Sequence, residues 1–441
     1  MPFFRTAADI VRHLESLGLF HVDMGLARMR RALAALTLSH FPGVVVQVLG
    51  TNGKGSTAAF LASLALAHGC RTGLYTSPHF VSPAERIRLG LPSCGVFAPW
   101  PIHRWLKAAN DVMDVAPDLT YFEFLTVLAL LVFRREGVEL VVMEAGLGGR
   151  HDATTAVYAD CLCFSPIAMD HRDVLGPTLQ DIARDKAGAI RASVPVCMAP
   201  QFPLAAAALT EAVREWKAEL VTATPVAADV PLGLFGPHQR INAGLALAAW
   251  DRLAPLLGKN RGDSSAESRG LARAFLPGRL QRVPGSSQYP PMLLDGAHNP
   301  HGMSALVAAL QAADIHPAGV VYACLRDKDW QPALRLLRRH VGQVPFFVVP
   351  LHNPRAARPE DIAAVLDSPP LATTVEMLHG DGCLSPALVR ARALPRAGEE
   401  NPLLMTGSLY LLSEFFALYP RHLSPEGQAQ GEVTDFPGGK E

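Results

Sequence analysis

The stretch Val44–Thr57, VVVQVLGTNGKGST, constrains this chain more than any other. Val44, Val45, Val46, Val48 and Leu49 read as a strand buried on both faces, and a turn containing Gly50, Gly53, Lys54 and Gly55 follows with no spacer. An Ala/Leu-rich run to His68 then reads as a helix. Strand, glycine turn and helix start in that order make an anion cradle. Backbone N–H groups close around the oxygens, the helix N-terminus contributes partial positive charge, and Lys54 contributes a full one. Thr51, Asn52, Gly53, Lys54, Gly55, Ser56 and Thr57 are therefore the candidate phosphate-binding residues. The spacing differs from the Walker pattern, because only two residues separate Gly50 from Gly53 and Gly55 stands between the lysine and the hydroxyls.

A chain of 441 residues with 49% hydrophobic content supplies two packed cores. Basic and acidic residues balance at 40 each, so there is no field to attract nucleic acid, and small molecules are the expected partners. Seven cysteines without a C-x-x-C pair fit a reducing compartment rather than a disulfide framework or a zinc finger. The N-terminus has no apolar core of a signal peptide and no run of 18 apolar residues occurs, so a cytoplasmic protein without membrane contact is expected; a monomer is the expected state.

The remaining chemistry collects at strand ends, where ligands of open α/β sheets gather. A strand over 71–76 ends at Ser77, whose hydroxyl is placed to reach a metal on the phosphates. Leu140–Met143 ends at Glu144, and a carboxylate after four apolar residues has no packing reason to be there. Its burial costs several kcal/mol unless a cation or donors compensate, which points to a hard oxygen ligand for magnesium. A strand from Cys161 to Ile167 precedes Asp170 and His171, and a short helix leads to Lys186; alone, His171 and Lys186 would be solvated residues. Tyr121 and Phe122, opening an apolar helix to Arg135, would alone be core. Residues 91–118 read as a mobile connection around one helix, and 259–269 as a solvated loop. The Pro/Gly/Ser-rich span 284–291 reads as a linker between an N-terminal P-loop domain, 1–283, and a smaller Rossmann-like α/β domain, 292–423, with a disordered tail over 424–441.

These segments resemble, in order, the motifs of the folylpolyglutamate synthase and dihydrofolate synthase family of the Mur ligase superfamily. The matching segments are GTNGKGST, Thr76-Ser-Pro-His79 with Glu85-Arg-Ile-Arg88, Tyr121-Phe-Glu123, Glu144 with Gly146-Leu-Gly-Gly149-Arg150, Asp170-His171 with Lys186, His238-Gln239 with Asn242, and Asp295-Gly-Ala-His298-Asn-Pro300. The resemblance implies two magnesium ions, one on Ser77 and Glu144 and a second on His171 and a carbamylated Lys186. It implies that Asn242, Arg279 and Asp295 touch ATP and that His298 and Ser408 lie on the L-glutamate side. It further implies a pteroate pocket from Asp23, Met24, Gly25 and Leu26, from Thr120, Tyr121, Phe122 and Glu123, and from His151, Asp152 and Ala153. The chain departs from the family at His151, where leucine is usual, at Thr155, where asparagine is usual, and at Ser165-Pro166, where Thr-Ser is commoner.

The expected activity is an ATP-dependent carbon–nitrogen ligase. A substrate carboxylate attacks the γ-phosphate, and the amine of L-glutamate displaces phosphate from the acyl phosphate. Lys54, Lys186 and His298 are the candidate catalytic residues. The substrate is dihydropteroate, tetrahydrofolate or both, a choice the motifs leave open. Three alternatives stand beside it: a Mur ligase of cell-wall synthesis, a P-loop phosphotransferase and a nucleotide-binding scaffold. Phosphate release that needs both a pteroate and glutamate separates the ligase from the last two.

Overall fold

The computed structural model describes residues 3–18, 25–367, 374–378, 380 and 382–425. Asp23 and Met24, and the expected tail beyond residue 425, lie outside them. The chain forms two compact units: Met1–Gly233 with Pro237–Ala274, and Leu234–Gly236 with Phe275–Glu441.

The first unit is built on eight strands: β1 (Val44–Leu49), β2 (Thr72–Tyr75), β3 (Ile87–Leu91), β4 (Val96–Pro99), β5 (Leu140–Glu144), β6 (Cys161–Phe164), β7 (Val196–Met198) and β8 (Leu220–Thr222). Their order is β4-β3-β2-β5-β1-β6-β7-β8, parallel from β2 through β8, with β3 and β4 added antiparallel at one edge. β1 lies at the centre, paired on one side with β5 (Val48 opposite Glu144) and on the other with β6 (Leu49 opposite Phe164). A central parallel strand needs helices on both faces, which is why β1 reads as a continuous apolar run. The helix Lys54–Ala67 is apolar all round because helices Pro237–Leu253 and Ser264–Arg273 cover it.

That packing corrects two expectations. Within the supposed solvated loop 259–269, Asp263 caps a helix Ser264–Arg273 that buries Ala266 and Leu271, and Ser63 Oγ donates to Gly270 O at 2.7 Å. Its apolar positions are few, so the polar majority conceals the buried face. Residues 91–118, expected to be a mobile connection around one helix, hold that helix as Leu106–Val115, which buries Ala108, Ala109, Val112 and Met113, and also contain the β3–β4 hairpin turn and β4. The short edge strand β8 went unread, since its residues are only half-buried or exposed.

The second unit holds β9 (Gln281–Val283), β10 (Met292–Leu294), β11 (Gly319–Tyr322), β12 (Phe346–Val348), β13 (Val375–Met377) and β14 (Leu403–Thr406), in the order β13-β12-β11-β14-β10-β9. Among the described residues only β9 runs antiparallel to its neighbour in this sheet. The unit begins at Phe275, before the expected linker, because β9 pairs with β10 (Val283 opposite Met292) and makes 284–291 the connection of a hairpin. Tyr289 within it is fully buried, and Ser286 N donates to Tyr289 O at 2.8 Å. A linker and a hairpin turn share the same Pro/Gly/Ser composition, so composition alone did not separate them. All seven cysteines are free, and among the described residues no helix is long and apolar enough to cross a membrane.

Candidate active site

The phosphate cradle forms where β1 ends. Gly50 and Gly53 take φ of 136° and 90°, the region that disfavours side chains, and a Cβ on Gly53 would strike Asn242 Oδ1. Asn242 is held in turn by its Nδ2 donating to Gln239 Oε1 at 2.9 Å. Thr51 N and Asn52 N both donate to Pro166 O, and Ser165 Oγ donates to Leu49 O at 3.0 Å. The Ser165-Pro166 departure thus supports the loop from behind. With those two amides committed, the first-turn amides of Lys54, Gly55 and Ser56 remain for an anion. Lys54 Nζ rests on Thr51 O at 3.2 Å, and the buried Thr57 Oγ1 has no hydrogen-bond partner among the described residues. A strand-end turn with free amides, a tethered lysine and an orphaned hydroxyl fits a nucleotide phosphate.

The structure brings Ser77 and Glu144 together: Glu144, 5% exposed at the end of β5, accepts from Ser77 N at 3.0 Å. It also brings Lys54 and Lys186 into one electrostatic field. Lys186, 4% exposed on helix Leu179–Ala187, has its pKa lowered to about 7 by burial first and by the charge of Lys54 second, against Asp185, Asp152 and Asp170. The Gly146–Arg150 loop is fastened to that helix, since Gly149 N donates to Asp185 Oδ2 and Arg150 N to Asp185 O, both at 2.9 Å. A Cβ on Gly149 would strike the Lys186 backbone, which explains the glycine. His171 takes φ of 51°, its ring is half-exposed, and its Nε2 stands 4.0 Å from Asp170 Oδ1. Among the described residues no three of His, Cys, Asp and Glu converge as a closed metal cage. One strand-end carboxylate beside a serine fits a hard cation that shares phosphate oxygens and water, as magnesium does.

Several expected substrate residues serve the fold as well. Thr120 and Glu123 form a capping box, and Glu123 is gripped by Arg28 through Nε and Nη2, both at 3.1 Å. Tyr121 is 5% exposed, with the Arg86 guanidinium 5.3 Å above its ring. Phe122 is half-buried, 5.7 Å from Tyr75, and a Cβ on Gly146 would crowd it. Asp152 is buried and accepts from Leu147 N and Thr154 N, while Ala153 is buried and His151 exposed. The departure Thr155 is structural: its Oγ1 donates to Gly149 O at 2.7 Å and accepts from Gln47 Nε2. Gly25 has φ of 139° and Leu26 is buried.

In the second unit, buried Asp295 accepts from Leu280 N and Ala297 N; burial raises its pKa, with the Arg279 charge opposing. His298 Nδ1 lies 2.8 Å from Gly296 O, Asn299 caps the helix Pro300–Ala312, and Ser408 caps Leu409–Leu418. Arg28 and Asp185 were missed as site builders, because each acts on a partner distant in sequence, and the His79–Arg86 pair stood only as part of a family motif with no role assigned. Arg86 Nε donates to His79 Nδ1 at 2.9 Å, and burial with the Arg86 charge lowers the His79 pKa to about 3.

Fold and site together define a P-loop nucleotide-dependent enzyme with a second α/β unit. Residues 278–409 match the model described as Mur ligase, glutamate ligase domain. The dihydrofolate synthase/folylpolyglutamate synthase of Escherichia coli is 31% identical, over 92% of this chain and 94% of that protein. The probable bifunctional folylpolyglutamate synthase/dihydropteroate synthase of Haloferax volcanii is 31% identical over 95% of this chain, which spans about half (51%) of that protein. A crystal structure of bifunctional folylpolyglutamate synthase/dihydrofolate synthase with Mn, AMPPNP and L-glutamate bound superposes with a TM-score of 0.78 at 28% identity, covering 95% of this chain and 99% of that chain. The chain belongs to the folylpolyglutamate synthase/dihydrofolate synthase family of Mur ligases. It is an ATP-dependent ligase that forms carbon–nitrogen bonds.

Proposed function

We propose that this ligase joins L-glutamate to dihydropteroate and to reduced folates, as a cytoplasmic enzyme. What supports the reading is chemistry collected at two neighbouring strand ends: Lys54 tethered in the glycine turn after β1, with Lys186 in its electrostatic field, and the Ser77–Glu144 pair at the end of β5, the strand beside β1. A charged phosphoryl group in transfer needs such a setting, and no protein nucleophile is required. Lys54 and the first-turn amides hold the transferring phosphoryl oxygens, and Thr57 offers its unpartnered hydroxyl. Ser77 and Glu144 hold one magnesium ion, and His171 with carbamylated Lys186 a second. Magnesium supplies charge neutralisation of the phosphates. Asn242, Arg279 and Asp295 address the nucleotide; His298 and Ser408 address L-glutamate. Gly25, Leu26, Phe122, His151 and Ala153 face the pteroate, with Thr120, Tyr121, Glu123 and Asp152 bracing them. The relative with Mn, AMPPNP and L-glutamate supports the nucleotide, cation and amino-acid assignments, and the name of the Escherichia coli relative supports two acceptors.

Incubating the protein with ATP, L-glutamate and either dihydropteroate or tetrahydrofolate tests this. Phosphate release should require all three partners, and the products should gain the mass of one or more glutamyl groups. Release without an acceptor, or with no amide product, overturns the ligase assignment in this form. A variant probes the pocket: Tyr121 is covered by Arg86, so its truncation also disturbs packing, whereas half-buried Phe122 is the cleaner choice. Phe122→Ala is expected to raise KM for dihydropteroate ~10-fold, the equivalent of about 1.4 kcal/mol, with KM for L-glutamate unchanged. Equal rises for both substrates, or none, would show that Phe122 is not a pteroate contact.

A further inference from the structure

The segment His79–Arg88 belongs to a motif whose function is so far confined to Ser77, yet it holds two arginines in different circumstances. Arg88 has a structural occupation: its Nε donates to Glu85 O at 2.9 Å, and the charges of Glu85 and Glu144 lie around it. Arg86 has no such balance. It is 3% exposed, and among the described residues no carboxylate stands within ion-pair distance of its guanidinium. Its sequence neighbour Glu85 is committed elsewhere, accepting from Phe80 N, Val81 N and Ser82 N at 2.7–2.8 Å.

What Arg86 does have is a fixed orientation. Its Nε donates to His79 Nδ1 at 2.9 Å, and its guanidinium carbon sits 5.3 Å from the centre of the Tyr121 ring. Neither Nη has a partner among the described residues, and neither is among the sealed, unpartnered buried atoms, so both reach open space. Its backbone carbonyl accepts from Thr76 N at 3.0 Å, next to Ser77, whose own amide binds Glu144. A buried cation without a counter-charge is costly, and a ring face with a neutral imidazole offsets only part of that cost. A planar anion set on the two Nη groups would complete the balance, and a guanidinium fork matches a carboxylate in two parallel hydrogen bonds.

We propose that Arg86, clamped between His79 and Tyr121, receives the carboxylate of the pteroyl substrate and presents it beside the Ser77–Glu144 pair for phosphorylation. This rests on the pteroate ligase reading and names the residue that selects the acceptor's ionised end. L-Glutamate also carries carboxylates, so the test separates the two sources.

Binding of 7,8-dihydropteroate and of its carboxamide analogue to the full chain is measured by calorimetry with magnesium and AMPPNP present. The unchanged protein should prefer the carboxylate by ~30-fold or more. Arg86→Gln should weaken dihydropteroate by a similar factor and leave the carboxamide within about twofold, with the L-glutamate KM unmoved. Arg86→Lys keeps the charge without the fork and should recover only part of the preference. If Arg86→Gln loses AMPPNP binding through misfolding, Arg86→Lys decides, and full preference in that variant overturns the forked contact. A preference that survives Arg86→Gln, an equal loss on both ligands, or a raised L-glutamate KM overturns the assignment to the pteroyl carboxylate. Failure of the unchanged protein to bind either pteroyl ligand overturns the parent reading instead.

Discussion

Lys54→Ala is expected to lower ligation at least ~10²–10³-fold, the scale on which one oriented donor to a charged transition state acts, while leaving the fold intact. The two effects separate because the side chain is half-buried and holds one internal contact, Nζ to Thr51 O at 3.2 Å. Such a contact is worth about 1 kcal/mol at most, and alanine suits the first position of the helix Lys54–Ala67. The melting midpoint should therefore move by only a few degrees. A second consequence follows from the shared field. Lys54 is the second-largest cause of the lowered Lys186 pKa, so its removal raises the Lys186 pKa and leaves less neutral amine at neutral pH. Added carboxylates should not rescue Lys54→Ala, because the missing function is on the phosphoryl group. Single-turnover phosphate release beside a thermal melt checks this. Near-normal release with a native melt would remove Lys54 from the chemistry.

The parts of the site legible in the sequence are those where a strand and its end are contiguous. β1 with its glycine turn, β5 ending on Glu144 and β10 leading to Asp295 each carry an apolar run and a polar terminus in a few residues. What stayed hidden is held by partners far apart. The Arg28–Glu123 fork joins positions 95 residues apart, and in sequence Arg28 looks like one of several solvated arginines. The clamp on Arg86 depends on Tyr121 from another helix, and the Gly149 loop on Asp185. Thr155 illustrates a different limit: a departure from the family pattern looks like altered chemistry, yet its hydroxyl serves Gln47 and Gly149 O. The strands β8 and β13 are three-residue edges with little apolar signal, and the Pro/Gly/Ser hairpin before β10 looked like a boundary.

Lys186→Ala is expected to lose activity that short carboxylates partly restore, and Lys186→Arg to stay inactive with or without them. The argument starts from what a cation needs. Magnesium takes oxygen ligands, and an ammonium at this position would repel it, with Lys54 already supplying one positive charge nearby. Burial and that same charge lower the Lys186 pKa to about 7, so the free amine is far more available near neutral pH than on an ordinary lysine. Among the described residues the amine has no hydrogen-bond partner, and it is not one of the sealed unpartnered atoms, so a small electrophile can reach it. The neutral nitrogen attacks CO2, one N–C bond forms, one proton leaves to solvent, and the ammonium is replaced by an anion with two oxygens. The sign of the charge beside the phosphates is thereby reversed. Alanine leaves a cavity in which formate or acetate can stand for the lost carbamate, whereas a guanidinium fills that space, keeps its charge and forms no carbamate. Intact-protein mass spectra under CO2 should show one added CO2 on the unchanged protein and none on either variant. An active arginine variant, or full activity of the unchanged protein when CO2 and bicarbonate are stripped and the adduct is absent, would remove the carbamate from the mechanism.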